Sequence, residues 1–181
     1  AIHQGIEFEA RYKPTSKISF KAMASVGDWQ WEDNVEAGIF DEDQKLLDSI
    51  SVYAKGIHVS NAAQTTAAFS ASAWVLPDVK VGVDFNHFDR LFAAFDIEDK
   101  TSSDEEGVDA WQLPDYQLLD VNLRYDFDLI GFDATLYGKI NNLLDTEYIA
   151  DARDGSKHDA GTSYVWYGFG RTWSMSLKLR F

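Results

Sequence analysis

The chain ends in Arg171–Phe181, which reads RTWSMSLKLRF. From Trp173 onwards, large apolar residues occupy every second position, and polar or small residues stand between them. A period of two residues is the pattern of a β-strand that has one apolar and one polar face. The apolar positions are Trp173, Met175, Leu177, Leu179 and Phe181.

The same alternation recurs upstream and predicts seven strands in all, with no long segment of helical periodicity. The predicted strands span residues 5–13, 17–27, 63–75, 79–89, 116–127, 131–142 and 171–181. In residues 116–127, for example, Leu119, Val121 and Leu123 alternate with Asp120, Asn122 and Arg124. We therefore expect an all-β, antiparallel fold.

Short and long connections alternate along the chain. Residues 14–16, 76–78 and 128–130 are short turns, whereas residues 28–62, 90–115 and 143–170 are long loops. This alternation is typical of outer-membrane barrels, in which periplasmic turns are short and extracellular loops are long. A strand of the length of 171–181 reaches roughly 36 Å and, tilted by about 45°, matches an apolar band about 25 Å tall. The sequence thus predicts a transmembrane β-barrel with three long extracellular loops, the first of which has some strand character in Ile50–His58.

Seven strands do not close such a barrel, since bacterial single-chain barrels have even numbers of strands, at least about eight. An open edge would leave unpaired backbone groups in lipid. We therefore expect this chain to be the C-terminal part of a longer barrel protein. The polar sides of the strands would then face the lumen, and the lumen-facing candidates are Glu7, Glu9, Arg11, Lys21, Asp84, Asp120, Arg124, Lys139, Lys178 and Arg180.

Charge and composition exclude several classes of function. The net charge of −14 argues against nucleic-acid binding, which requires clustered Lys and Arg. The acids are concentrated in residues 28–48, which hold eight acids and one Lys, and in residues 96–109, which hold seven acids and one Lys. Both segments are predicted loops, where repulsion between like charges favours extended, mobile chain. Cysteine is absent, so disulfides and thiolate chemistry are excluded.

Several motifs resemble the C-terminal barrel of TonB-dependent receptors, and the resemblance covers essentially the whole chain. The most specific is Asn141-Asn142-Leu143-Leu144-Asp145-Thr146-Glu147-Tyr148, followed by Gly170-Arg171-Thr172-Trp173 and the terminal Phe181. Further matching segments are Gly5–Glu9, Tyr12–Thr15, Asn61–Thr66 and Leu113–Tyr116. Within the first motif, we expect Asn141 and Asn142 to fix local backbone hydrogen bonds rather than to contact cargo.

The resemblance implies a bacterial outer-membrane location and a barrel of about 22 strands with a plug inside. It also implies TonB-energised uptake of a scarce nutrient. The expected partners are the remaining strands and plug of the same receptor, outer-membrane lipid, the barrel-assembly machinery and the TonB complex. By the same resemblance, we expect the plug and the N-terminal box that TonB contacts to lie outside this chain. In such barrels the alternating terminal strand is the assembly signal, here Trp173, Met175, Leu177, Leu179 and Phe181.

The sequence offers few candidates for chemistry, and we expect neither an enzyme nor a bound cofactor. The four histidines are far apart in sequence and lack ligand spacing. The acids Asp96, Glu98, Asp99 and Asp104 offer hard oxygen ligands for calcium, but they do not fit the helix–loop–helix spacing. Aromatic residues near strand ends would either contact cargo or form an interfacial girdle; they are Trp29, Trp31, Trp111, Trp166 and Tyr167.

Two other functions remain open at this point. A passive porin or structural barrel would share the strand pattern, although long loops and the TonB-receptor motifs favour uptake. A soluble β-sandwich binding module would instead pack its strand faces into one core. Receptors for siderophores, haem, vitamins, glycans and peptides share these strands, so the resemblance does not identify a cargo.

Overall fold

A computed structural model describes residues 1–180, and Phe181 lies outside the described residues. Eleven strands and two short 3-10 turns, Glu98–Lys100 and Ser103–Glu105, make up the regular structure. The strands are β1 (Ile2–Thr15), β2 (Ile18–Gln30), β3 (Val35–Phe40), β4 (Leu46–Val52), β5 (Thr65–Leu76), β6 (Val79–Asp89), β7 (Tyr116–Leu129), β8 (Phe132–Asn141), β9 (Ile149–Arg153), β10 (Tyr164–Tyr167) and β11 (Thr172–Arg180). Among residues 1–180, no helix has the length and apolar character needed to span a membrane.

Seven of these strands form one antiparallel sheet in the order β1-β2-β5-β6-β7-β8-β11. Neighbours in space are therefore also neighbours along the chain once the small hairpins are set aside. Tight turns join β1 to β2, β5 to β6 and β7 to β8, whereas long connections join β2 to β5 (31–64), β6 to β7 (90–115) and β8 to β11 (142–171). The predicted all-β antiparallel fold is confirmed.

The long connections contain structure that the strand pattern did not predict. Strands β3 and β4 form a hairpin within the first connection, and β9 and β10 form another within the third. The segment Ile50–His58, in which we expected strand character, contains the end of β4 and an isolated antiparallel bridge from His58 to Gln30. Strand β2 runs on to Gln30, so Trp29 lies within the strand rather than beyond it. Strand β1 is also longer than predicted, because it begins at Ile2.

The register separates an apolar face from a polar face across the whole sheet. One row of directly opposed residues on the apolar face is Tyr12, Phe20, Ala71, Val83, Val121, Ile140 and Trp173. A row on the polar face is Ser19, Ser72, Gly82, Asn122, Lys139 and Ser174. Side chains alternate between faces along a strand, so the period of two in the sequence becomes two chemically distinct surfaces. Large residues on the apolar face remain exposed, as in Phe69 (47%) and Met175 (68%).

The buried hydrophobic residues lie almost entirely outside the main sheet. Among residues 1–180, Ala134 is the only buried hydrophobic residue in that sheet. The others come from the long connections, where four of them, Leu91, Ala93, Leu113 and Ala152, form a small core. The sheet itself therefore has no hydrophobic core on either face.

Both edges of the main sheet are open. Every residue of β1 and of β11 is exposed, and each of these strands has one neighbour among the described residues. The sheet does not close on itself, because β1 and β11 stand at opposite ends of the strand order.

Candidate functional site

The polar face of the sheet forms a groove of about 640 Å³. Side chains from six strands line it, and most of them are charged or hydroxyl-bearing. The lining includes Ser19, Lys21, Ser70, Ser72, Lys80, Asp84, Asn122, Arg124, Lys139, Ser174 and Ser176. Several of the residues predicted to face a lumen are thereby brought together on one surface.

Two carboxylates face each other across β6 and β7 on this surface. Asp84 and Asp120 are directly opposed in the register, a placement that destabilises a strand pair unless the charges are compensated. The Nζ of Lys139 lies 3.0 Å from Asp120, and the side-chain amide of Asn122 donates to Asp84 at 3.2 Å. The backbone N–H of Asn142 also donates to Asp120 at 2.9 Å. These three contacts offset the repulsion and fix both carboxylates.

Arg124 is held in one orientation by charge and by aromatic rings. Its Nε donates to both carboxylate oxygens of Asp126, at 2.9 and 3.0 Å. Its guanidinium lies 5.5 Å from the ring centre of Trp74 and 5.7 Å from that of Tyr137, within the range of cation–π attraction. The remaining N–H groups of the guanidinium can therefore be presented to the groove.

Lys21 and Lys80 contribute positive charge that is not neutralised locally. Among residues 1–180, neither ammonium forms an ion pair, and both line the groove. Arg124 and Lys139 also line the groove, but they are paired with Asp126 and Asp120, so its surplus positive charge comes from Lys21 and Lys80. The groove is thus suited to bind anionic groups, in contrast to the acidic long connections.

A stack of three aromatic rings stands where the polar face meets the long connections. Phe88 stacks on Tyr116 with ring centres 4.9 Å apart, and Tyr116 stacks on Tyr148 at 4.4 Å. Phe88 and Tyr116 alternate in phase with Asp84 and Asp120, so they belong to the polar face. Gly168 makes room for Tyr148, since a Cβ at residue 168 would lie 2.0 Å from that ring.

The acidic second connection ties the other two together. Asp96 pairs with Arg153 of β9, Glu106 accepts from Asn34 at 3.2 Å, and Asp109 accepts from the backbone N–H of His58 at 3.0 Å. Glu105 also has partners, so four of the seven acids in 96–109 are engaged. These four acids are therefore paired with cations or N–H groups rather than left to repel one another, and the mobility expected of the loop stays a prediction.

The most enclosed of these contacts form a network of four side chains, Lys100, Glu105, His158 and Asp154. Lys100 is fully buried; its Nζ lies 3.0 Å from Glu105 and donates to the carbonyl of Val108 at 2.9 Å. The other partner of the same Glu105 oxygen is Nε2 of His158, at 3.0 Å. Nδ1 of His158 lies 2.5 Å from Asp154. The hydrogen bond from Lys100, more than any other contact, lowers the pKa of Glu105 below its usual range.

In the first motif of the family resemblance, Asn142 fixes local backbone hydrogen bonds, as predicted, whereas the side chain of Asn141 donates to the Thr172 hydroxyl. Asn142 is buried, and its side chain donates to the carbonyl of Thr146 and accepts from the N–H of Thr146, both at 2.9 Å. It also donates to the carbonyl of Phe169 at 3.4 Å. Asp145 accepts from the N–H of Arg171 at 2.7 Å. The motif thus anchors the start and the end of the connection to each other.

The calcium candidates do not converge. Asp96 is engaged by Arg153, Glu98 and Asp99 lie in the first 3-10 turn, and Asp104 lies in the second. Among residues 1–180 there is no group of three or more His, Cys, Asp or Glu side chains that could hold a metal ion.

The five aromatic candidates are distributed rather than gathered into one pocket. Trp29 stacks on His3 at 5.4 Å, and Trp31 meets Phe95 edge to face. Trp111 packs against the core of the long connections. Trp166 and Tyr167 are exposed at 54% and 69% on β10.

The residues of the predicted assembly signal share the apolar face of the edge strand β11. They are Trp173, Met175, Leu177 and Leu179, and all four are exposed. Phe181, the last member of the signal, lies outside the described residues.

Sequence patterns did not reveal the histidine contacts or the aromatic stack. His58 and His158 meet acids that lie 51 and 53 residues away along the chain, and no local motif marks such pairs. The sequence does not predict the burial of Lys100 either, since an isolated Lys in an acidic run is typical of a solvated loop.

The fold is similar to that of a solved siderophore receptor. That protein is PiuA from Acinetobacter baumannii, with a TM-score of 0.65 and 20% sequence identity. The match covers 97% of this chain and 21% of the receptor, so the chain spans about a fifth of the length of the structure it matches. No family model matches the sequence, and no curated protein matches it.

Proposed function

We propose that this chain forms the last seven strands of an outer-membrane barrel of about 22 strands that imports a scarce nutrient with energy supplied through TonB. The two-faced sheet carries the proposal. An apolar face that is exposed across seven strands needs an apolar surrounding, because soluble proteins rarely expose contiguous apolar surface of that extent. The outer-membrane bilayer provides such a surrounding, and the opposite face supplies a polar lumen.

The open edges support a barrel that is completed by other strands. Unpaired N–H and C=O groups along β1 and β11 would each cost several kcal/mol in hydrocarbon, on the order of the 2–7 kcal/mol of an unpaired polar group. Strands that precede Ile2 would pair with β1, and the first barrel strand would pair with β11. The long connections would then lie outside the cell, and a plug would fill the lumen next to the polar groove.

The soluble β-sandwich is disfavoured by the position of the core. A sandwich buries the inner faces of two sheets against each other, whereas the buried residues here lie in the long connections. A passive porin would share the two-faced sheet. The extensive packing among the three long connections favours a receptor, since these segments form a structured cap.

Ferric siderophores are the first class of cargo to test, because the similar structure is that of a siderophore receptor. The cationic groove and the stack of Phe88, Tyr116 and Tyr148 offer contacts for an anionic, aromatic ligand. A catechol ring would stack on such side chains with its ring centre about 4.5–7 Å from theirs, as in aromatic pairs within proteins.

The test compares uptake of radioactive iron, supplied as catecholate and as hydroxamate siderophores, by cells with and without the complete protein. Each strain is measured with TonB present and with TonB deleted. Energised uptake predicts iron accumulation that requires both the protein and TonB. Iron accumulation that persists without TonB would identify a passive channel instead. If the chain were folded and monomeric in the absence of detergent, the soluble β-sandwich would be the better explanation.

A further inference from the structure

His158 lies between two carboxylates that belong to different long connections. Its Nδ1 is 2.5 Å from Asp154 in the third connection, and its Nε2 is 3.0 Å from Glu105 in the second. A neutral imidazole has one N–H donor and one bare nitrogen, whereas an imidazolium has two donors. Only the protonated ring can donate to both carboxylates at once.

The charges around the ring lead to the same conclusion. Asp154 and Glu105 are the acids that contact His158, and the Lys100 ammonium contacts Glu105. With His158 protonated, the four side chains balance to zero. With His158 neutral, the cluster carries one net negative charge in a site where the side chain of Lys100 is 0% exposed and that of Asp154 is 4% exposed. Unbalanced charge is costly in such an environment.

His58 also lies between acids, but it does not need to be protonated to keep its contacts. Nδ1 of His58 contacts Asp109, but the hydrogen-bond partner of its Nε2 is the amide nitrogen of Gln30 at 3.4 Å, with Asp28 at 3.6 Å. Arg90 lies 3.8 Å from the same Asp28. The Gln30 amide can donate to a bare Nε2, so a neutral His58 keeps its contacts. His58 therefore serves as an internal comparison.

We propose that His158 is a pH-sensitive latch that, when protonated, holds the third long connection to the second. The latch acts where these connections already share backbone hydrogen bonds. The N–H of Ala94 donates to Ala152 at 2.8 Å, that of Asp154 donates to Ala94 at 2.8 Å, and that of Trp111 donates to the Asp154 carboxylate at 3.2 Å. When the ring loses its proton, the junction loosens. The latch is independent of the identity of any cargo.

Hydrogen exchange of the complete protein in detergent micelles tests the latch. The protection factors of the Ala94, Trp111 and Asp154 amides, each referred to the intrinsic exchange rate at that pH, are measured at about pH 5.5 and about pH 8. The wild-type junction should lose protection about tenfold on raising the pH, the effect of one charge-assisted hydrogen bond. Amides in the centre of β6 and β7 should change little.

Three variants separate the latch from general destabilisation. Asp154→Asn can keep its oxygen on Trp111 and donate its amide to a bare Nδ1, so its junction should stay protected at both pH values. In His158→Gln the junction amides should be weakly protected at both pH values. In His58→Gln they should lose protection on raising the pH as they do in wild type. A wild-type junction without pH response, or a response that survives in His158→Gln or Asp154→Asn, overturns the proposal. If His158→Gln does not fold, the comparison of wild type with Asp154→Asn decides.

Discussion

The side chain of Asn142 and the backbone of Thr146 form a reciprocal pair, each donating one hydrogen bond of 2.9 Å to the other. Asn142 has a positive φ of 50°, a conformation that asparagine adopts more readily than most residues. The turn after β8 therefore needs asparagine at residue 142 twice over. The backbone needs a residue that tolerates a positive φ, and Thr146 needs a side chain that both donates and accepts a hydrogen bond.

Replacing Asn142 should destabilise the protein in a way that replacing its neighbour does not. Asn142→Ala leaves the N–H and C=O of Thr146 without their partner, and we expect a loss of about 1–3 kcal/mol in the free energy of unfolding. Asn141→Ala removes only a hydrogen bond to Thr172 near the exposed strand edge and should cost about 0.5 kcal/mol or less. Urea titration of the complete protein refolded into lipid vesicles measures both. Equal losses would show that the pair contributes nothing specific.

Lysine substitutions on β11 should reveal which face meets lipid. Leu177 lies on the apolar face and Ser176 on the polar face. Leu177→Lys should cost about 2–4 kcal/mol if it places the charge near the bilayer midplane, whereas Ser176→Lys should cost far less. The same refolding assay in vesicles compares the two. A larger loss for Ser176→Lys would reverse the assignment of the faces.

Trypsin should cut intact cells at Lys45 and spare Lys17. Lys45 is exposed at the tip of the β3–β4 hairpin in the first long connection, and Lys17 is exposed in the tight turn between β1 and β2. The proposed topology places these lysines on opposite sides of the membrane. Mass spectrometry of the fragments locates the cuts, and opened cells provide the reference for cleavage at Lys17. Cleavage at Lys17 in intact cells would invert the topology.

Removing Glu105 should open the second long connection, because the buried Lys100 ammonium keeps the Val108 carbonyl but loses its carboxylate partner. Loss of one member of a buried pair costs about 3–5 kcal/mol, and we expect Glu105→Ala to reach about 3 kcal/mol. The adjacent Asp104→Ala is the control, since that side chain is exposed. The rate of limited proteolysis within residues 90–115 reports the opening. Similar rates in both variants would contradict a structural role for the pair.

The same carboxylate should make the connection sensitive to acid. The pKa of Glu105 is lowered, chiefly by the hydrogen bond from Lys100, so the folded form holds its proton less tightly than the unfolded form. Its stabilising contribution is present above the ordinary glutamate pKa of about 4.3 and is lost as the pH falls through the lowered value. Proteolysis by an acid protease should therefore accelerate below about pH 4 in wild type but not in Glu105→Ala.

The sequence by itself determined the seven main strands and the chemistry of their two faces. In β11, the alternation of Trp173, Met175 and Leu177 with Ser174 and Ser176 requires no information from other strands. A strand places successive side chains on opposite sides, so the period of two is a local signal. The short turns and long connections follow from where that signal stops.

Only the tertiary structure decided what the acidic connections do. Glu105, Asp109 and Asp96 look alike in sequence, yet their partners Lys100, His58 and Arg153 come from near and distant segments. Whether a carboxylate is solvated or paired depends on which side chains folding brings within about 4 Å, and spacing along the chain does not encode that. The latch at His158 exists for the same reason, because Glu105 reaches the ring only when the second and third long connections pack together.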